Sequence, residues 1–553
     1  MENHTKTNGR PEISRRSFLG LGASFALTMA VAPSAFAIAN KVTPAVKTSN
    51  GTIRGLIDDD VHTFLGVPYG AAPVGGLRFM PPQKPKPWGG ILDTVRYGYS
   101  AMQLISGGVA VSYPGIVGPA LSQIFSAPED FLRQSENCLV LNVWTPAVGS
   151  AKKRPVMVWF HGGGFNYGSG SWPAYSGHNL ARNHDVVVVT VNHRLNVFGY
   201  LNLAELGDGK YARSGNAGQL DLVASLEWVR DNIAEFGGDP GNVTIFGQSG
   251  GGSKVSTLLA MPVAKGLMHK AIIQSGPGLR GGTMQYTTQK AKAVLDKLNI
   301  QPNNLQALHD IPADKLLGAA QSLEAPGMGP GLGWGPVVDG NVLPANPFDP
   351  AASALCADIP VLIGFTKDET TLYNIGLPWW GKLTDEDLLN RVKAMAGPLA
   401  EPLIAAFRKL HPENSPSYLF NDMMSATFAF KDSVTLAERK AAQPAPVYTY
   451  IYNWSAPVEN GILKAPHTIE IPFVFDNVEL GPILLGTDLA TKYLGRLTSS
   501  AWTAFARSGN PNTPGLPQWP KYDTGRRATM IFDVENKVVD DPMSEVRKIL
   551  QVK

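Results

Sequence analysis

The sequence has few cysteines and little charge for its length. Its 553 residues include two cysteines, Cys138 and Cys356. That is too few for a disulfide-rich scaffold, or for a zinc or iron–sulfur site built from cysteine. Charged residues make up 17% of the chain and hydrophobic residues 44%. This balance excludes a disordered protein, and a chain of this length can bury a large core.

The charges that are present nearly cancel. Lysine and arginine number 48 and aspartate and glutamate 45, which leaves a formal net charge of +3. Dedicated nucleic-acid binders carry a marked excess of basic residues, so we expect no nucleic-acid partner. Beyond residue 37 no apolar run is long enough to span a bilayer. We therefore expect no stable membrane insertion of the mature chain.

Residues 1–37 resemble an export signal. Arg15 and Arg16 precede an uncharged, mildly hydrophobic run that ends near Ala37, and Ala35-Phe36-Ala37 has the small–x–small form of a cleavage site. The pattern is typical of a bacterial twin-arginine signal, which hands a folded protein to the twin-arginine export machinery. It predicts a periplasmic or secreted protein. An uncleaved membrane anchor and an ordinary secretory signal are the alternatives.

Residues 38–553 show the pattern of a single α/β domain. Short alternating stretches near residues 46–67 predict an antiparallel meander. Continuous apolar runs, which predict buried strands, then alternate with amphipathic helical segments. This order predicts a large, mostly parallel central sheet flanked by helices. The strands are expected at Val156–Phe160, Val186–Val189, Val243–Phe246, Ala271–Ile273, Val361–Ile363 and Val447–Ile451, and a helix at Gly218–Phe236.

A serine lies at a sharp turn after the predicted strand Val243–Phe246. The segment Gly247-Gln248-Ser249-Gly250-Gly251 has the form G-x-S-x-G and precedes an apolar segment. In this context small residues let the chain turn sharply and expose the serine hydroxyl at the carboxyl end of the sheet. A phosphate-binding loop is excluded, because Ser253 follows Gly252 where that loop requires lysine. The pattern predicts Ser249 as a nucleophile.

A glycine-rich segment, His161-Gly162-Gly163-Gly164-Phe165, directly follows the predicted strand Val156–Phe160. Consecutive glycines allow backbone amides to converge on one point, as the stabilisation of an oxyanion requires. Alone, such a segment is as readily a flexible turn. Together with a serine at a strand–helix turn, it predicts an oxyanion site.

A nucleophilic serine needs a base and an acid, which in this architecture follow it in the sequence. Of the later histidines, His467 is the best candidate, because it lies in a proline-flanked loop downstream of a strand. Asp368 and Glu369 both directly follow a predicted strand, where ligand-facing loops begin. The pattern alone does not separate these two acids. A surface pair of His467 with Glu470, or half of a metal site, is the alternative.

Longer stretches of the sequence match a known family. The matching motifs are Phe64–Tyr69, Leu77–Pro82, Cys138–Pro146, Asn192–Leu195, Phe236–Pro240 and Lys367–Glu369. Over nearly all of residues 45–535 the chain resembles the type-B carboxylesterases, the cholinesterase-like branch of the α/β-hydrolases. The resemblance implies an α/β-hydrolase fold with loop and helical insertions over the active site.

The resemblance also implies an activity. A serine carboxylesterase hydrolyses carboxylic esters through an acyl-enzyme intermediate, and here we expect hydrophobic alkyl or aryl esters. The expected partner is a small-molecule ester, and neither a metal nor an organic cofactor is required. The alternatives are an amidase, a carbamate hydrolase or a lipase that uses the same residues, and a non-catalytic cholinesterase-like binding protein.

The resemblance assigns roles to individual residues. It implies Ser249 as the nucleophile, Glu369 as the acid and His467 as the base. It further implies an oxyanion hole formed by Gly163, Gly164 and Gly250, support of the acid by Ser275, and an ion pair between Arg78 and Glu136.

The sequence departs from the family pattern in three ways. Gly250 stands where the family usually has alanine, Asn137 replaces the usual aspartate before Cys138, and the usual upstream disulfide partner of Cys138 is missing. We therefore predict that Cys138 and Cys356 are both free thiols.

Residues 97–128 contain no Asp, Glu, Lys, Arg or His, although a long uncharged loop is unusual on a plain surface. Its glycines and prolines predict short pieces rather than one long helix. We predict an apolar lid or wall over the site, facing Trp379, Trp380 and the Pro326–Pro336 loop, that favours hydrophobic substrates. Packing into the core is the alternative.

Overall fold

The computed structural model describes residues 41–104, 113–126, 133–323 and 333–552. The predicted export signal lies outside these ranges, as do parts of the 97–128 segment and most of the 326–336 loop. From Lys41 onward the chain forms one compact unit.

A sheet of twelve strands, in the order β1-β4-β5-β7-β9-β8-β10-β11-β14-β15-β16-β17, forms the centre of the molecule. Neighbouring strands from β9 through β8 to β16 are parallel, whereas the pairs from β1 to β9 and the β16–β17 pair are antiparallel. Smaller sheets join β2, β3 and β6, and β12 with β13. The strands are β1 (Lys41–Val42), β2 (Val46–Lys47), β3 (Thr52–Arg54), β4 (Leu56–Asp58), β5 (Val61–Pro68), β6 (Ile91–Asp93), β7 (Val140–Thr145), β8 (Arg154–Phe160), β9 (Val187–Val191), β10 (Gly238–Gln248), β11 (Lys270–Gln274), β12 (Gly282–Thr283), β13 (Val337–Val338), β14 (Val361–Thr366), β15 (Val447–Tyr452), β16 (Ala528–Phe532) and β17 (Lys537–Asp540).

Helices cover both faces of this sheet, because its central strands are apolar on both sides. In β8, Val156 and Val158 pack into the core on one face, whereas Met157 and Trp159 pack into the core on the other. Full burial of such a side chain contributes roughly 1.5–3 kcal/mol. The α-helices are Val117–Phe125, His178–His184, Asn196–Tyr200, Ala217–Asn232, Gly250–Leu258, Met284–Lys297, Ala313–Gln321, Thr371–Asn374, Asp385–Ala396, Ala400–Leu410, Pro416–Ser425, Lys431–Ala441, Val458–Gly461, Ile471–Val474, Pro482–Leu485, Leu489–Ser508 and Ser544–Ile549.

The predicted α/β fold class, with a mostly parallel sheet flanked by helices, is confirmed. Each strand expected from an apolar run is present, and the helix expected at Gly218–Phe236 is an α-helix over Ala217–Asn232 followed by a 3₁₀ turn over Ile233–Phe236. That turn ends at Gly237, whose φ of 71° suits glycine. The expected meander is antiparallel but is divided between two sheets.

The register of the parallel strands brings distant segments together at one edge of the sheet. Phe160 of β8 pairs with Gly247 of β10, and Gln274 of β11 pairs with both Gln248 and Gly364. The loops that follow β8, β10, β11 and β14 therefore begin side by side. This is the edge at which open α/β sheets bind ligands.

Two further features concern the described residues as a group. Among them, no helix combines the length and apolar character needed to cross a membrane. Nor do they include a cluster of three or more His, Cys, Asp or Glu side chains that could hold a metal ion.

The predicted free thiols are confirmed, since Cys138 and Cys356 are both unpaired and buried.

Candidate functional site

Ser249 lies at a strained turn between β10 and the Gly250–Leu258 helix. Its φ and ψ are 58° and −125°, a conformation that costs a non-glycine residue roughly 1–3 kcal/mol. Its amide holds the turn by donating to the carbonyl of Gln274 at 2.8 Å. The turn also requires small neighbours, because a Cβ on Gly251 would lie 2.0 Å from the Phe160 carbonyl oxygen.

His467 and Glu369 are brought together from loops 98 residues apart. Nδ1 of His467 forms a short hydrogen bond with Oε2 of Glu369, and both side chains are buried. The other carboxylate oxygen, Oε1, accepts a hydrogen bond from the amide of Thr366 at 2.9 Å. Glu369 is therefore fixed by β14 on one side and holds the imidazole ring on the other.

The neighbouring acid, Asp368, has different partners. One of its oxygens accepts from Nζ of Lys367 at 3.3 Å, and the other accepts from the amide of Ala465 at 3.3 Å. The geometry therefore separates the two acids that the sequence pattern leaves open. Glu369, and not Asp368, contacts His467.

Glu470 is not a surface residue, and no cluster of three or more His, Cys, Asp or Glu side chains among the described residues includes it. Its side chain is fully buried, and Oε1 accepts from Nε2 of Gln274 at 3.1 Å. Burial, together with the nearby negative charge of Glu369, raises the pKa of Glu470 to about 7. A surface pair with His467, the alternative interpretation, is wrong.

The predicted oxyanion glycines lie next to the serine. Gly163 and Gly164 have φ values of 81° and 58°, which glycine adopts without strain. Gly163 also contributes to the wall of the cavity that contains Ser249. Gly250 packs directly against Gly164, because a Cβ on residue 250 would lie 2.1 Å from the Gly164 carbonyl oxygen. The departure from alanine at position 250 thus has a steric reason.

The family resemblance implied two further contacts, the Arg78–Glu136 ion pair and the support of the acid by Ser275. The ion pair is present, with Nη2 of Arg78 2.5 Å from Oε1 of Glu136 and Nε 2.7 Å from Oε2. Ser275, by contrast, makes no side-chain hydrogen bond to the acid. Its buried Oγ has no hydrogen-bond partner within the described part of the chain.

Ser249 and His467 open into one cavity of about 300 Å³. Of the described residues that line this cavity, none is Asp, Glu, Lys or Arg, and half have aromatic or aliphatic side chains. Such a space suits an apolar ligand, with a few polar groups at one end. Its apolar walls are formed by Tyr113, Leu121, Phe125, Tyr167, Trp172, Tyr175, Leu372 and Tyr373.

The described part of the 97–128 segment forms both the cavity wall and the core. It contains the short helix Val117–Phe125. Leu121 and Phe125 line the cavity, whereas Val117 and Ile124, on the adjoining side of the same helix, are buried in the core. The predicted apolar wall therefore describes the side of this helix that faces the cavity. The alternative, packing into the core, describes the adjoining side.

The two tryptophans that this wall was predicted to face have ring partners of their own among the described residues. Trp379 packs against Phe420, and Trp380 packs against Tyr418. Neither tryptophan is among the residues that line the cavity.

Two contacts of His467 were not predicted from the sequence. Nε2 of Gln248 lies 3.1 Å from Nε2 of His467. The same amide nitrogen lies 3.3 Å from Nδ1 of His467, so Gln248 contacts both ring nitrogens. The ring of Phe428 also packs edge-on against His467, with the ring centroids 5.3 Å apart. Gln248 could have been suspected because it directly precedes Ser249 in the sequence. Nothing in the sequence pattern indicates Phe428.

Comparison with known proteins identifies relatives along almost the whole chain. Residues 42–549 match the model of the carboxylesterase family. A para-nitrobenzyl esterase of Bacillus subtilis (strain 168) is 37% identical over 513 residues, covering 91% of this chain and 98% of the relative.

Two further relatives agree with this match. A phenmedipham hydrolase of Pseudarthrobacter oxydans is 32% identical over 509 residues, covering 90% of this chain and 96% of the relative. The crystal structure of a carboxylesterase from Geobacillus stearothermophilus superimposes with a TM-score of 0.79 and is 38% identical in sequence. This likeness covers 92% of this chain and all of the other.

Proposed function

The chain belongs to the carboxylesterase family and is a carboxylic ester hydrolase, and we propose that Ser249, His467 and Glu369 carry out its reaction. The observation that carries this proposal is the buried hydrogen bond between His467 and Glu369, next to the cavity that Ser249 and His467 share. The strained backbone of Ser249 adds support, since such strain clusters at active sites.

The proposed reaction begins with proton transfer. Nε2 of His467 takes the hydroxyl proton of Ser249 as the serine oxygen bonds to the ester carbonyl carbon. Glu369 keeps the ring oriented and stabilises its charged form through Nδ1. The tetrahedral intermediate then breaks its bond to the alcohol oxygen, which leaves with the proton from His467. Water next attacks the acyl-enzyme by the same proton path, releasing the acid and free Ser249.

The negative oxygen of the tetrahedral intermediate needs donors. We assign this role to the backbone amides of Gly163, Gly164 and Gly250. Each such donor contributes roughly 3–4 kcal/mol to the transition state in comparable enzymes. The close packing of Gly164 on Gly250 supports the assignment, because it brings the two predicted parts of the oxyanion hole together.

The preferred substrates in this proposal are hydrophobic alkyl and aryl esters. The uncharged, largely aromatic cavity wall supports this preference, with each methylene that it buries contributing roughly 0.8 kcal/mol. The similarity to a para-nitrobenzyl esterase agrees with it.

The same residues could also attack an amide or a carbamate, because the pocket rather than the triad selects the leaving group. The test is a panel of aryl, alkyl and polyester substrates with one amide and one carbamate, assayed on the wild-type chain and on Ser249→Ala. We expect the highest kcat/KM on hydrophobic esters, and no turnover by a folded Ser249→Ala. Turnover that survives in that variant would contradict the proposed nucleophile.

We also propose that the chain is exported by the twin-arginine route to the periplasm or medium. The support is Arg15 and Arg16 before an uncharged run that ends near Ala37. Replacing both arginines by lysine should leave an active precursor in the cytoplasm. Unchanged export of that variant would rule the route out.

A further inference from the structure

Lys254 is a fully buried lysine in the helix that starts after the nucleophile. Lysine is almost never fully buried without a partner. Burial, with no opposing contribution from an acidic side chain in the described part of the protein, lowers the pKa of its ammonium group to about 7. Such a costly residue needs a structural or functional reason.

The ammonium group of Lys254 contacts the glycine-rich segment. Nζ donates to the carbonyl oxygen of His161 at 2.9 Å and to that of Gly164 at 2.8 Å. These two carbonyls bracket Gly162 and Gly163. The lysine therefore holds the segment at both of its ends.

The two carbonyls in between also have donors. Nδ1 of His161 lies 2.9 Å from the Gly162 oxygen, and the amides of Asn166 and Tyr167 both lie 3.2 Å from the Gly163 oxygen. The carbonyl and the N–H of one peptide unit point in opposite directions. Fixing these carbonyls thus leaves the N–H groups of Gly163 and Gly164 facing the other way.

Gly250 is part of the same arrangement. The Gly164 carbonyl occupies the space that a Cβ on residue 250 would fill, at 2.1 Å. From that position it reaches Nζ of Lys254. The positions of Gly250, Gly164 and Lys254 are therefore coupled. A larger residue at position 250 would move the Gly164 carbonyl away from Lys254.

We propose that Lys254 is a positioning residue for ester hydrolysis. Its ammonium group holds residues 161–164 so that the Gly163 and Gly164 amides meet the developing oxyanion, and its positive charge stabilises that oxyanion. This inference rests on the proposed function of Ser249, and it adds a residue that neither the sequence pattern nor the family resemblance indicates.

The surroundings leave this charge unbalanced. The titratable groups that face Lys254 within the described residues are His161 and His193, and burial together with Lys254 holds both of their pKa values well below the usual range. Both imidazoles are therefore neutral at pH 7. Nζ also lies 5.3 Å from the centroid of the Phe165 ring, and no acidic side chain among the described residues offsets its charge.

Lys254→Met tests the proposal against Lys440→Met as a matched control. Lys440 is also fully buried, and its Nζ donates to a carbonyl oxygen, that of Ala357, at 3.1 Å. Its carbonyl partner lies far along the chain from the glycine-rich segment that Lys254 contacts. The readouts are kcat and KM for an aryl ester, and the inhibition constant of an aryl trifluoromethyl ketone, whose adduct with the serine carries an oxyanion.

We expect Lys254→Met to lower kcat and to weaken the ketone by about tenfold or more, with KM changed by less than about twofold. Lys440→Met should change none of these, whatever its melting temperature. Unchanged kcat and ketone binding in Lys254→Met, or equal losses in both variants, would overturn the proposal. If Ser249→Ala were still active, the proposed function would fail instead.

Gly250→Ala provides a second test should Lys254→Met not fold. The added methyl group must displace the Gly164 carbonyl from Lys254, so we expect the same selective loss of kcat and ketone binding, together with a shifted pH dependence of kcat/KM that a displaced Gly250 amide alone would not produce. A Gly250→Ala variant with wild-type kcat would overturn the proposal. In wild type, kcat/KM should also decline above about pH 7, as the ammonium loses its proton. An identical decline in Lys254→Met would overturn the role of the charge.

Discussion

Asp368 and Glu369 are adjacent in sequence but bind different parts of the protein. Asp368 pairs with Lys367 and the Ala465 amide, whereas Glu369 bonds Nδ1 of His467. The two buried carboxylates therefore have different roles. Asp368 is structural, whereas Glu369 is the proposed catalytic acid.

This difference predicts unequal effects of two conservative substitutions. Glu369→Gln replaces the acceptor of the His467 proton and should lower kcat by about 10⁴, as in a comparable triad. Asp368→Asn weakens the Lys367 ion pair and should reduce stability, with kcat within a few-fold of wild type. Steady-state kinetics and thermal unfolding of both variants check this. A larger kcat loss in Asp368→Asn would reverse the assignment.

Glu470 should make stability depend on pH. Its pKa is raised from its ordinary value to about 7 in the folded state, so the folded chain binds more protons than the unfolded chain from about pH 4.5 to 7. Stability therefore falls as pH rises through that window. Glu470→Gln should remove this loss, which is on the order of 3 kcal/mol at most.

Denaturant unfolding at pH 5, 6 and 7.5 measures this effect. Glu479→Gln is the control, because Glu479 is exposed and pairs with Lys492 at the surface. We expect the stability of Glu470→Gln to exceed that of wild type increasingly as pH rises, and Glu479→Gln to follow wild type. Parallel curves for all three proteins would show that Glu470 does not titrate in this range.

The helix Val117–Phe125 lines the cavity with two apolar side chains. We expect their removal to change the substrate preference. Leu121→Ala and Phe125→Ala remove apolar surface from the cavity and should raise KM for long or aromatic esters, while sparing short acetates. Each lost methylene contributes roughly 0.8 kcal/mol. Ile116→Ser is the matched control, since Ile116 precedes the same helix but is 52% exposed.

Kinetics on an acetate and a hexanoate series measure this preference. Val117→Ser should instead lower the melting temperature with little change in selectivity, because Val117 is buried in the core. If the Leu121 and Phe125 variants affected short and long esters equally, the wall would play no part in selectivity.

Much of this architecture could be predicted from the sequence. Apolar runs in the sequence located β8 and β10. The glycines around Ser249 indicated a sharp turn, because that turn tolerates no larger residue. His467 followed from the order of elements along the chain. In each case a strong local constraint leaves a pattern in the sequence.

The remaining features depend on tertiary contacts that leave no such pattern. Which of Asp368 and Glu369 meets His467 depends on the path of the chain after β14. The family resemblance, rather than any spacing, indicated the correct one. Lys254 was missed because lysine normally marks a solvent-exposed position. Its place among Val255, Leu258 and three glycines was the available signal.

The most direct test of the central claim is to locate the residue that a fluorophosphonate probe modifies. Peptide mass spectrometry of the labelled wild-type protein should find the probe on Ser249 alone, because this residue lies at the strained turn and lines the same cavity as His467. Labelling should disappear in Ser249→Ala and slow markedly in Glu369→Gln. A probe found on another residue, or labelling that persists in Ser249→Ala, would contradict the account.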